Sequence, residues 1–69
     1  MNYDGLITLI RKSGSYTYIG KAATDSATSD AVWQINRIYE NGDDYDVKYA
    51  SGGIQLDKVF DNRATYTYS

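Results

Sequence analysis

The chain of 69 residues contains no cysteine, no histidine and no proline. Without cysteine there is no disulfide to restrict the unfolded state, a device on which small domains often depend. Without cysteine or histidine, a structural zinc site loses its principal ligands. The same two absences exclude nucleophilic catalysis by a Ser-His or Cys-His pair. A cysteine-free chain also fits synthesis in a reducing cytosol. Long apolar runs are missing too. The N-terminal run Leu6–Ile10 is too short for the apolar region of a signal peptide and far too short to cross a bilayer, so no membrane partner is expected.

A chain of this length makes one domain, read over residues 1–69, and buries only about 60% of the surface that its unfolded form exposes. With disulfides and zinc removed, its stability must come from tight β packing or from burial against partner chains. The formal net charge is −2, from seven Lys and Arg against nine Asp and Glu. The cations are scattered along the chain. That balance argues against nucleic acid, whose binders carry a basic footprint.

What the chain does contain is tyrosine, eight of them, in short alternating runs that favour strands over helices. Leu6–Ile10 reads as a first strand, Ser13-Gly14-Ser15 as a turn, and Tyr16–Lys21 as a second strand antiparallel to the first. Ala23–Asp30 is small and polar and reads as a long loop, either mobile or part of a contact surface. Ala31–Glu40 is the strongest strand, with Trp33 and Ile35 pointing inward and Ile38 out of pattern, which suggests a bulge near Asn36 and Arg37. Asn41-Gly42 is the best hairpin signal, read as a type I′ turn. Tyr45–Ala50 returns, alternating Tyr45, Val47 and Tyr49 against Asp46 and Lys48. Ile54–Phe60 reads as a short strand running into a helical turn near 56–60, and Ala64–Tyr68 as a last strand. The sum is an all-β domain, a small antiparallel barrel or rolled sheet of five to six strands.

Each candidate site has a plainer alternative. Asp43, Asp44 and Asp46 supply oxygen ligands but lack the loop length and terminal Glu of a calcium site, so a solvated hairpin tip accounts for them. The tyrosines could stack on bases or sugars, yet their alternation suits packing on a half-buried sheet. Trp33, Ile35, Val47, Tyr49 and Phe60 are the candidate core anchors. The first strand places apolar side chains on both faces, Leu6, Ile7, Leu9 and Ile10, and two readings stand: a protein interface, or a bent strand of a closed sheet. A carboxylate pair could do acid–base work, but a domain this small has little room for a water-excluding pocket. No catalytic residue, metal ligand or cofactor site is expected.

The stretches Tyr18–Ala23, Ala27–Ser29, Ala31–Ile38, Asp57–Arg63 and Tyr66–Ser69 together resemble a group of short proteins encoded in tailed-bacteriophage genomes, often near virion-structure genes. The resemblance covers about residues 16 to 69. The chain departs from the group's pattern in two places: Tyr49-Ala50-Ser51-Gly52 replaces a Trp-Ala-Asp-Gly sequence, and Phe60 replaces Trp. The resemblance implies a non-enzymatic structural or accessory protein of the virion, made in the host cytoplasm. It would decorate the capsid or sit in the head–tail or tail region, contacting other virion proteins or copies of itself. The alternative is a small soluble adaptor or regulator that binds a host or phage protein.

Overall fold

An apolar run on both faces carries the first strand, β1 (Leu6–Ser13), and alternating tyrosine carries the second, β2 (Tyr16–Ala23). Gly14 joins them with φ of +62°, a value that L side chains rarely adopt. The computed structural model describes residues 5–69; residues 1–4, Tyr3 among them, lie outside it. Three more strands follow, β3 (Ala31–Asn41), β4 (Asp44–Tyr49) and the short β5 (Lys58–Val59), and then a 3-10 helix over Phe60–Thr65.

All the pairings are antiparallel. The sheet order is β1-β2-β3-β4, with β5 paired to the start of β3. The sheet does not close into a barrel; of the two forms expected, the rolled sheet is the one adopted. Residues 67–69 run beside the end of β4, where Tyr49 and Ser69 exchange backbone hydrogen bonds of 3.1 and 3.2 Å. Tyr68 bridges Ala50 there.

The core packs two large rings among small neighbours. Trp33 and Phe60 lie with ring centroids 5.3 Å apart, beside Gly20, Ala22 and Ala50, with Ile35, Tyr18 and Tyr68 completing the cluster. Small residues opposite large ones let the layers interdigitate without voids. Ile7, Leu9, Tyr16 and Tyr66 pack against its rim. Both hairpin turns lie at the other end of the sheet, where Glu40 N–H donates to the Ser15 carbonyl. The Cα extents of 44 × 21 × 18 Å show that the hairpins reach well beyond this core.

Several local expectations are corrected. The β3–β4 turn centres on Gly42-Asp43, since Asn41 still pairs with Asp44. Only Gly42 there has positive φ, +64°; glycine at the first central position with an ordinary residue after it suits type II′, not I′. No bulge interrupts Asn36 and Arg37, which pair regularly on both sides; the irregularity falls between Ala31 and Trp33, opposite β5. Ile54 and Leu56 form no strand and are exposed. The helical turn comes later than 56–60, and Ala64–Tyr68 makes a single bridge instead of a strand. Two tyrosine hydroxyls hold this last segment in its turned path. Tyr66 accepts from Val59 N–H at 2.8 Å, and Tyr68 donates to the Arg63 carbonyl at 2.7 Å.

The polar loop before β3 is bonded down. The Asp30 carboxylate accepts from Ala27 N–H at 3.0 Å, the Ala27 carbonyl accepts the Trp33 indole N–H at 2.9 Å, and the Thr28 carbonyl accepts Asp61 N–H at 3.1 Å. The loop thereby satisfies the one polar atom of the buried indole and secures the start of the 3-10 helix.

Candidate protein interface: the two faces of the sheet

Cross-strand partners share a face, so the register sorts every side chain of β1 to β4. Toward the core point Ile7, Leu9, Tyr16, Tyr18, Trp33 and Ile35, with Arg11, Arg37 and Lys48 on the same side. Phe60, Tyr66 and Tyr68 pack on that inner side, whereas the loop after β4 reaches the outer side, where the Ile54 carbonyl accepts from Gln34 Nε2 at 2.8 Å. The outer face carries the rows Ile10, Ile19, Asn36, Tyr49 and Lys12, Thr17, Ile38, Val47. Among the described residues no element covers it.

The outer face is mixed: a row of Thr8, Lys21 and Gln34 borders it, and among its apolar side chains Ile19 and Ile38 are half-buried. Ile10 is 59% exposed and Val47 54%. At its hairpin end lies an exposed ion pair, Lys12 to Glu40 at 3.6 Å, of a kind that contributes little to stability. Near its middle, the Asn36 side-chain oxygen Oδ1 is buried without a hydrogen-bond partner among the described residues.

The candidate interface residues of the first strand divide between the two faces. Ile7 and Leu9 are half-buried and pack against the core, whereas Leu6 and Ile10 are exposed on the outer side. The candidate anchors divide as well. Trp33, Ile35 and Phe60 are the largest fully buried side chains. Val47 is no core anchor, and Tyr49, half-buried, lies on its face. The physical reason is parity: any two-residue turn pairs odd positions of β3 with even positions of β4, so Trp33 and Ile35 inward force Lys48 inward and Val47 outward. The signal was present in the sequence; the polarity of Asp46 and Lys48 concealed it.

Arg37 is what the sequence reading missed. Its guanidinium carbon lies 4.4 Å from the ring centroid of Tyr16 and 4.6 Å from that of Tyr68, within the range of cation–π attraction. Tyr39 stands 5.3 Å from Tyr16, centroid to centroid, and Tyr68 5.9 Å from Tyr18, so four tyrosines frame the group. Burial pushes the Tyr68 hydroxyl up from 10.0 to about 12, with Tyr18 adding to the shift and Arg37 opposing it.

At the β3–β4 tip, Asp43, Asp44 and Asp46 are exposed. Among the described residues no group of three or more acidic side chains is gathered so as to hold a metal ion. Among them, too, no helix is long and apolar enough to cross a membrane. Compared with family models, with curated proteins and with solved structures, the chain matches none.

Proposed function

We propose that this chain is a non-enzymatic structural or accessory protein of a tailed-bacteriophage particle, acting through protein–protein contacts. The observation that carries the reading is the apolar cluster of Ile10, Ile19, Ile38 and Val47 on the outer face, with Ile10 and Val47 exposed and Ile19 and Ile38 half-buried. A monomer in water gains nothing from holding these side chains out, whereas a partner laid across them removes apolar area worth about 25 cal/mol per Å². The phage assignment rests on the resemblance of residues 16–69 to the short virion-associated group. The partner is then another virion protein or a second copy of this chain, and the protein, made in the host cytoplasm, resides in the particle. The lack of histidine and cysteine supports a role without chemistry of its own.

The test is mass spectrometry of density-purified particles, with the tryptic peptide Ala22–Arg37 quantified against the major capsid protein. Copy numbers close to that of the capsid protein mean decoration, and a few copies mean the neck, tail or a fibre. Val47→Lys, at an exposed position, is expected to fold normally and to be missing from particles. If the wild-type peptide is absent from particles, the virion reading fails and the soluble adaptor replaces it.

A further inference from the structure

Three of the seven cations scattered along the sequence come together in the fold. Arg11 pairs with Tyr18, Tyr18 with Arg37 and Arg37 with Lys48, so one row across the inner face of the four strands carries three positive charges. The ion pairs among the described residues are Lys12 with Glu40 and Lys58 with Asp57. None of the three charges in the row has a carboxylate partner there.

We propose that this row binds the carboxylates of an extended acidic peptide, with Arg37, held between Tyr16 and Tyr68, as the central contact. The site lies on the face opposite the apolar one, so it stands independently of the function proposed above. Three features support it. First, the rings on either side of the guanidinium hold its plane, which removes much of the rotamer freedom that a surface arginine loses on binding. Second, Arg37 makes no hydrogen bond or ion pair among the described residues, Nε being buried without a partner, so the donors of its fork are uncommitted. A planar fork presented end-on matches one carboxylate with two parallel hydrogen bonds. Third, the row has peptide dimensions. Three strand spacings separate Arg11 from Lys48, about 14 Å, which an extended segment of about five residues covers.

The surroundings favour a short acidic peptide over a nucleic acid. Asp46 stands on the next row, and Asp43 and Asp44 lie at the tip beyond it. These carboxylates flank the Lys48 end of the row along β4 and lower the local positive potential, and a non-specific nucleic-acid strand needs a basic track along its whole path, longer than three charges across four strands supply.

The experiment is fluorescence anisotropy of the full chain with a labelled Glu-Ala-Glu-Ala-Glu peptide at low ionic strength. The Gln-Ala-Gln-Ala-Gln peptide and a labelled oligothymidylate serve as comparisons. Wild type is expected to bind the glutamate peptide, to ignore the glutamine peptide, and to lose affinity as salt rises. Arg11→Gln and Lys48→Gln replace exposed side chains, so both fold; each is expected to weaken binding about threefold. Arg37→Lys keeps the charge and loses the fork, and is expected to weaken it about tenfold. Equal affinity for the two peptides, or unchanged affinity in both Arg11→Gln and Lys48→Gln, overturns the proposal. Tighter binding of the oligothymidylate, lost in the same variants, overturns the acidic-peptide assignment and makes the row a nucleic-acid site.

Discussion

Gly20 lies under the core's largest rings, and adding one methyl group there tests the packing directly. A Cβ built on Gly20 would meet Phe60 at both Cδ1 and Cε1, the latter at 2.5 Å, and Trp33 Cε3 at 3.0 Å. Neither ring can retreat into solvent, because Phe60 is 1% exposed and Trp33 0%. Overpacking of this kind costs about 1–3 kcal/mol, and two buried rings on one side place Gly20→Ala toward the upper end. Loss of glycine's freedom in the unfolded chain offsets about 0.4–1 kcal/mol. A net loss of about 2 kcal/mol is therefore expected from these opposing terms. At roughly 0.05–0.15 kcal/mol per residue, the whole domain holds only about 3–10 kcal/mol. The melting temperature should fall by about 8–16 °C, at about 4–8 °C per kcal/mol for a domain of this size. Urea titration followed by the fluorescence of Trp33, the single tryptophan, reads the loss without a label. Phe60→Leu in the Gly20→Ala background restores room, so the double variant should be less destabilised than the sum of the two by at least about 1 kcal/mol. A Gly20→Ala midpoint equal to or above wild type refutes the argument, as does strict additivity in the cycle.

Two further outcomes follow from particular side chains. Tyr68 ionises at 10.0 when unfolded and near 12 when folded, so between those values the unfolded chain releases a proton that the fold retains. Its contribution to stability is intact below pH 10 and is lost as the pH rises toward 12; urea midpoints across that window should fall more steeply in wild type than in Tyr68→Phe, and parallel slopes contradict the assignment. Ile7→Lys and Ile10→Lys separate the two faces of β1. Ile7 packs against the core and its replacement should lower the thermal midpoint substantially, whereas Ile10→Lys should leave the midpoint within about 0.5 kcal/mol of wild type. A folded, stable Ile7→Lys would show that Ile7 is not core.

The local pattern made much of the fold legible. An apolar run placed β1, alternation and glycine turns placed β2 to β4, and the largest apolar side chains of the best strand, Trp33 and Ile35, pointed inward because period two leaves a strand only two faces. The absence of cysteine and histidine narrowed the chemistry without any structure, since no side chain remained to act as a thiol nucleophile or an imidazole base. What followed β4 was not legible. Tyr66 and Tyr68 alternate as a strand would, yet their hydroxyls satisfy backbone groups at Val59 and Arg63, which holds this segment across the core as a 3-10 helix and a bridge. Sidedness was also decided by tertiary structure. Phe60, fitting the space above Gly20, places the 3-10 helix on the inner face of the sheet. That placement leaves Ile10, Ile19, Ile38 and Val47 outside. It also lines up Arg11, Arg37 and Lys48, three charges far apart in sequence, because antiparallel register converts sequence separation into adjacency.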